Sequence, residues 1–532
     1  MINRHICGLL LIVLVSLAVT RVVAEQDPWD DWNIGISAEQ AQPAVAVQGF
    51  RRAAVAFELA NDWIDAAYAW QKVFHLNDSL GRLTEAGANY QREAYCYNKA
   101  GNADWAWPDT LRGETLKSVA QVYYRSSTPE PPSLTPNLAK YEPNSGIYLG
   151  MYQECGVAVD DYQRVKAIYG RPHALFLSYG HFYSPGKILI ADDTIARIKR
   201  MPGAGLVLGL EPNGGLINMN EADVTSAAQT LAQANIPVFL RFASEMNMSG
   251  TNQWHGNPEL YITWFRKVAL IMRRDAPNVV MVWNPFDVIQ PEGVKANALK
   301  YYPGDDYVDW VGVNFYNDYY YNGKMSEPGE GIDPLQRLDY WYRLFAARKP
   351  IMIGECGISH RALVPVGKDV SKWAEMNVRR LFTMLPIMYP CVKAYIYFDL
   401  DQSQVKNDLK ITNDYRLSGN DELCGAYGLS TAAPQYLEQI GQSSTEPLYK
   451  EVVAGTRLFG ETKLSCYAKC YDPFIGRVDY YLNDTLIGSA KQVPYTIDYD
   501  FTYETIPTQL TVKIYDSKNI FAYSRAVSID TR

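Results

Sequence analysis

A chain of 532 residues is too long for one ordinary hydrophobic core, so the sequence predicts two or three domains. A formal charge of −8 argues against nucleic acid or anionic lipid as the main partner. Thirty-nine tyrosines and twelve tryptophans supply many aromatic faces, which stack on sugar rings but also fill half-buried strand positions, so composition alone does not choose between these roles.

Arg4 and His5 precede an apolar run from Ile6 to Val19, and Val22-Val23-Ala24 offers a small-residue cleavage site before Glu25. This is the pattern of a secretory signal peptide over residues 1–24. The run is short for a bilayer span, and no later stretch is apolar enough to cross one. The expectation is a secreted or periplasmic protein with no stable membrane span after cleavage. Loss of Arg4 and Arg21 takes the charge from −8 to −10, and seven of the eight cysteines remain, an odd number that precludes complete intramolecular pairing. Export permits a local disulfide between Cys466 and Cys470 if a bulge or turn separates them.

Residues 37–125 read as helical. Ala53, Ala54, Phe57, Ala60, Trp63, Ile64, Ala67 and Trp70 recur at steps of three and four, the mark of one amphipathic helix. A second stretch from Leu80 to Lys99 places Ala86, Tyr90, Ala94 and Tyr97 on one face. Small residues against aromatics over about thirty residues resemble a tetratricopeptide-type helix pair, a common surface for a protein partner. Five prolines then mark residues 126–144 as a linker.

Beyond Gly146 the pattern changes. Eight apolar runs follow, at Ile147–Tyr152, Ala174–Ser178, Gly205–Leu210, Ile236–Phe242, Val279–Trp283, Trp310–Phe315, Pro350–Gly354 and Val392–Phe398, most of them followed by helical stretches. Parallel strands buried on both faces read as continuous apolar runs. Eight of them over residues 145–445 predict a (β/α)8 TIM barrel with its site at the C-terminal strand ends. An open doubly wound sheet would need a glycine-rich phosphate turn after the first run, and Gly150-Met151-Tyr152-Gln153-Glu154 is not one. From residue 452 to 532 alternating strands, with a turn at Asn483-Asp484, predict a small all-β sandwich of immunoglobulin-like size, which the barrel is expected to fold without.

Two runs end in a single glutamate, Glu245 after strand four and Glu355 at the end of strand seven. A carboxylate at the exit of a buried strand is costly unless something uses it. Two at one barrel mouth suggest the paired acids of a glycoside hydrolase. No His/Asp/Glu spacing suggests a catalytic metal, no cofactor is expected, and Ser178-Tyr179-Gly180 is not a nucleophile elbow. His173 and His181 flank strand two; one is placed to line the cleft, though a structural role is the simpler expectation.

The barrel resembles glycoside hydrolase family 26. The resemblance rests on Arg241-Phe242-Ala243-Ser244-Glu245-Met246-Asn247, Trp254-His255-Gly256-Asn257-Pro258-Glu259 with Tyr261 and Trp264, Val282-Trp283-Asn284-Pro285, Tyr302-Pro303-Gly304-Asp305 onward to Gly312, and Lys349–Glu355. It implies Glu245 as general acid/base and Glu355 as nucleophile, with Tyr316 hydrogen-bonding the nucleophile. Trp254 and Trp310 would line the sugar cleft, with barrel core as the alternative place for Trp310, and Asn247 and Trp283 are further site candidates. The implied activity is endo-acting, retaining hydrolysis of a β-1,4-mannan or related β-glycan, with a polysaccharide or oligosaccharide substrate. Two positions depart from the family pattern: Ser244 replaces a histidine before the acid, and the eighth run ends Tyr397-Phe398-Asp399 without a tryptophan. Both predict altered sugar contacts. The competing class is a non-hydrolytic glycan-binding or exopolysaccharide-assembly protein, which an arginine holding either acid would favour.

Overall fold

A computed structural model describes residues 27–126, 137–153, 162–183, 187–189, 192–248, 254–288, 296–321, 324–362, 367–402, 413–504 and 508–531. The stretch expected to be a signal peptide, residues 1–24, and residues 127–136 of the expected linker lie outside the described residues.

Five antiparallel helices open the described chain: Pro28–Ala38, Pro43–Leu59, Trp63–Ser79, Leu83–Lys99 and Ala103–Leu116. The last four begin exactly twenty residues apart, at 43, 63, 83 and 103. Each turn between them carries one left-handed residue, Asn61, Gly81 and Gly101, at φ 61°, 70° and 83°. Ala46, Ala66, Ala86 and Ala106 recur at the same step, and all are buried where neighbouring helices approach. The single helix expected across Ala53–Trp70 is therefore two helices. Ala60 prolongs the apolar spacing into a turn that Asn61 makes, and a helix pair spans forty residues rather than thirty.

The expected helical region also ends early. Val119–Ser126 is a strand, paired antiparallel with Glu461–Lys469 along its whole length, from Val119 opposite Lys469 to Ser126 opposite Thr462. It sits inside a four-stranded sheet that packs on a five-stranded one. Val122, Leu464, Cys466, Val478, Tyr480, Val512 and Ile514 fill the space between. The all-β unit is thus built from both sides of the barrel in sequence, and not from residues after 452 alone. Cys466 and Cys470 are both free and buried. Cys466 lies in a continuous strand, where four residues rise about 13 Å, too far for a disulfide between their Cα atoms.

The barrel closes. Its strands are Ile147–Tyr148 with Gly150–Tyr152, then Leu175–Tyr183, Gly205–Glu211, Val238–Phe242, Val279–Trp283, Trp310–Asn317, Ile351–Ile358 and Val392–Phe398. Each pairs parallel with the next, and strand eight pairs with both strand seven and strand one. Alternation divides their side chains. Val207, Phe239, Val282, Trp310, Met352 and Ile396 pack together inside the barrel. Leu208, Leu240, Met281, Val311, Ile353 and Tyr395 pack outward under the helices.

The three parts interlock through buried polar contacts. Lys469 of the sandwich donates to the Glu114 carbonyl at the end of the helical region, at 2.5 Å. Arg380 of a barrel helix bonds the Pro473 carbonyl at 3.2 Å, and its other edge pairs with Asp333 at 3.0 Å. Among the described residues no helix is long and apolar enough to cross a membrane.

Candidate active site

Strand seven carries the first acid. Ile351 and Ile353 face the helices, so strict alternation would turn Glu355 the same way. The register against strand six slips between Ile353 and Glu355, and Cys356 and Ile358 resume the outward positions. This bulge delivers Glu355 into the barrel mouth. Gly354 makes it possible: a Cβ there would stand 1.9 Å from Asn284 Oδ1 and 2.7 Å from Asn314 Oδ1.

Glu355 is 5% exposed and receives three hydrogen bonds. Arg241 Nη2 and the Tyr179 hydroxyl both donate to Oε1 at 2.6 Å, and the Tyr316 hydroxyl donates to Oε2 at 2.5 Å. Every one of these partners is a donor, a set that matches a carboxylate. Arg241 extends from the interior face of strand four and also bonds the Gly354 carbonyl at 3.0 Å, so it fixes the bulge as well as the acid.

The second acid sits on a strained turn. After Phe242 the chain passes through Ala243 at φ 48° and Glu245 at φ 60°, left-handed positions that ordinary residues rarely adopt. Such conformations cost about 1–3 kcal/mol each and persist where surrounding contacts impose them. Here the Glu245 N–H bonds the Asn284 carbonyl at 2.8 Å, Trp254 Nε1 bonds the Ser244 carbonyl at 2.8 Å, and Asn247 bonds the Phe286 N–H and carbonyl, both at 2.9 Å. Asn314 Nδ2 donates to Glu245 Oε1 at 2.8 Å, while its Oδ1 accepts from Asn284 Nδ2 at 2.8 Å. Burial, and then the negative charge of Glu355, push the Glu245 carboxyl up to about 7, against the smaller opposing effects of Asn314 and Arg241.

The structure therefore brings Glu245, Glu355 and Tyr316 together and puts other sequence-predicted residues elsewhere. Trp310 is fully buried at the start of strand six, edge-on to Phe239, with Nε1 on the Lys140 carbonyl. It is barrel core at the end remote from the site. Trp283 shares the outward parity of Met281 and packs against Tyr302, Trp341 and Phe345 beneath the helices. Trp254 is 4% exposed and Asn247 is tied to backbone, so both brace the acid's turn and neither offers its polar group to a sugar. His173 is structural, bonded to the Arg171 carbonyl and the Tyr427 hydroxyl.

Sequence reasoning assigned no role to Arg241, Tyr179, Asn314 or Glu211. The signal for Arg241 was present, since a cation at the interior parity of a buried strand demands a partner. Where the family pattern has a tryptophan, Phe398 stacks on Tyr152 with ring centroids 4.5 Å apart and meets Tyr316 edge-on at 5.6 Å. Asp399 is engaged by Leu417, Ser418 and Tyr169 and caps a loop. Among the described residues no cluster could hold a metal ion.

A closed (β/α)8 barrel that presents two glutamates at its C-terminal mouth has the architecture of a glycoside hydrolase. More narrowly, residues 209–327, from strand three through strand six, match the model of glycosyl hydrolase family 26 and contain Glu211, Glu245, Asn314 and Tyr316. A β-1,3-xylanase of an Alcaligenes species is 26% identical over 190 residues, which cover 33% of this chain and 39% of that protein. Endoglucanase H of Acetivibrio thermocellus is 24% identical over 282 residues, covering 52% of this chain and 27% of that protein. The chain thus spans well under half the length of these relatives. Among solved structures, a double mutant of the Cellulomonas fimi endo-β-1,4-mannanase is similar at a TM-score of 0.40 and 16% identity, over 72% of this chain and 94% of that one.

Proposed function

We propose that the protein is a secreted or periplasmic, retaining, endo-acting hydrolase of a β-linked polysaccharide. The observation that carries this reading is the division of labour between two acids at one mouth. Glu355 is surrounded by three donors, and Glu245 is kept protonatable near neutrality. Glu355 attacks the anomeric carbon while Glu245 gives its proton to the leaving glycosidic oxygen. The Glu245 carboxylate so formed then takes a proton from water, which releases the sugar from Glu355 with overall retention. Arg241, Tyr179 and Tyr316 aim the nucleophile, and Asn314 aims the acid. Secretion rests on the leader-like residues 1–24.

One observation favours the second reading, a glycan-binding or assembly protein: Arg241 holds Glu355, as a purely structural carboxylate would be held. The arginine engages only Oε1, and Tyr316 reaches Oε2 along a single hydrogen bond, so the carboxylate remains a competent nucleophile. A binder also has no need of a second acid on a strained turn. The test is the anomeric configuration of the first product released from a β-glycan, followed by proton NMR. Initial β-anomer supports double displacement, initial α-anomer refutes it, and absence of any product with retained glycan binding supports the second reading.

A further inference from the structure

Strand six parts from one neighbour before it reaches the site. Strand five pairs with it at Trp310 and Val311 and makes one further bridge, from Phe286 to Asn314. Tyr316 and Asn317 lie beyond that bridge, where strand seven still pairs with them through Gly357 and Ile358. On the side that strand five has left, Arg337 Nη1 donates to the Tyr316 carbonyl at 2.5 Å. Asn317 Nδ2 donates to the Ile332 carbonyl at 2.7 Å. Tyr316, whose hydroxyl holds Glu355 Oε2, therefore depends on where Ile332 stands.

The helical array decides that. Trp107 and Leu111 lie one turn apart on its last helix, Ala103–Leu116, and so share a face. Leu111 is fully buried, yet it packs with Tyr321 and Ile332 and not in the array's own core of Ala46, Phe50, Trp70 and Leu76. Trp107 packs against the same cluster. Tyr321 and Ile332 belong to one ribbon: the Tyr321 N–H bonds the Glu327 carbonyl at 2.9 Å, and the Gly329 N–H bonds the Tyr319 carbonyl at 2.8 Å. Beside Ile332 this ribbon is pressed against the end of the helix. A Cβ on Gly331 would stand 2.0 Å from Thr115 Cα and 2.6 Å from its Oγ1.

We propose that the last helix of the array is a buttress for the nucleophile: Leu111 sets Ile332, Ile332 sets Asn317, and Tyr316 is thereby aimed at Glu355. This rests on the hydrolase reading above and gives the helical array a share in its first chemical step. Leu111 and Ile332 are positioning residues, and neither touches the sugar.

Coupling along such a chain of contacts is measured by a double-mutant cycle. The substrate is whichever of β-mannan, glucomannan, β-1,3-xylan and mixed-linkage β-glucan wild type cleaves fastest. Leu111→Ala should lower kcat/KM about tenfold, because a slight misplacement of the attacking group is costly. Leu111→Met, which refills the space, should stay within about twofold of wild type. In a Tyr316→Phe background, with no hydroxyl left to aim, Leu111→Ala should cost less than about twofold. Leu76→Ala, the same change in the array's own core, should leave kcat/KM unchanged. An unchanged kcat/KM in Leu111→Ala, an equal loss in Leu76→Ala, or a tenfold loss that persists in Tyr316→Phe would overturn the proposal while leaving the hydrolase intact. If Leu111→Ala does not fold, Ile332→Val takes its place in the same cycle. If wild type releases nothing from any glycan, the hydrolase reading fails, and amide hydrogen exchange over residues 314–318 decides the buttress. Faster exchange in Leu111→Ala than in Leu76→Ala upholds it, and equal exchange overturns it.

Discussion

Arg241 lies 1% exposed inside the barrel and bonds two consecutive residues of strand seven, the Gly354 carbonyl and the Glu355 carboxylate. A buried pair of this kind gives little net stability over an apolar replacement, but breaking it from one side leaves an uncompensated charge, at a loss of about 3–5 kcal/mol. Glu355→Ala should therefore abolish turnover and also lower the melting temperature. Adding Arg241→Met should recover most of the stability and none of the activity. An unchanged melting temperature in Glu355→Ala would show that the ion pair does not form.

Glu245→Gln should lower kcat/KM on polysaccharide by about 10²–10⁴-fold while sparing kcat/KM on aryl glycosides whose leaving groups need no proton. On the latter kcat should fall, because the glycosyl-enzyme loses its base. The acid acts protonated, so wild-type kcat/KM should fall as pH rises through about 7, the value to which burial and Glu355 lift Glu245. That falling limb should vanish in the variant on an activated substrate. Equal losses on both substrates, with the limb retained, would place the proton elsewhere.

Gly354→Ala introduces a Cβ 1.9 Å from Asn284 Oδ1 and 2.7 Å from Asn314 Oδ1, two buried amides that hydrogen-bond each other and have little room to move. The expected result is a loss of more than about 3 kcal/mol by denaturant unfolding, with activity gone. Gly354→Ala with Asn284→Ala should recover part of the stability, because the second change removes the atoms in the way. A single variant as stable as wild type would show that the bulge does not depend on glycine.

Glu93 is fully buried among the N-terminal helices, with Oε1 bonded by Gln71 at 3.1 Å and Oε2 unpaired. Burial raises it from 4.5 to about 9. A raised carboxyl contributes stability that is complete below its unfolded pKa and is lost as pH climbs through the folded one. Wild type should thus lose stability between about pH 4.5 and 9, at up to roughly 1.4 kcal/mol per pH unit. Glu93→Gln should match it near pH 4 and exceed it at pH 8. Parallel pH–stability curves would contradict the burial of a protonated acid.

Truncation after residue 451 should yield insoluble protein. It removes Glu461–Lys469, the main partner of Val119–Ser126, together with the Lys469 and Pro473 contacts that join the sandwich to the helices and the barrel. A soluble, active truncated barrel would restore the expectation drawn from the sequence.

The barrel was legible because its strands are buried on both faces, and eight apolar runs in a row leave few other architectures. Glu355 was legible as a strand-end acid, but its direction was not: Ile351 and Ile353 predict the opposite face, and only a register slip at Gly354 corrects it. Trp283 was misread because an aromatic near a strand end looks available, whereas its parity buries it under the helices. Of the two places open to Trp310, its position at the start of the strand selects the core. The pairing of Val122 with Cys466 joins residues 344 positions apart, and no local pattern carries that information. The twenty-residue helix period was written in the sequence but masked by Ala60, which continues the apolar spacing through the turn.

The central claim is that Glu355 and Glu245 cleave a β-glycan. It is tested most directly by reducing-end release from the purified protein, with Glu355→Ala/Arg241→Met as the folded control, across β-mannan, glucomannan, β-1,3-xylan, mixed-linkage β-glucan and bacterial exopolysaccharides. Release from at least one neutral glycan by wild type and none by the control is the predicted result. No release from any of them, with one still bound by both proteins, would contradict the account and leave a barrel that holds glycans without cutting them.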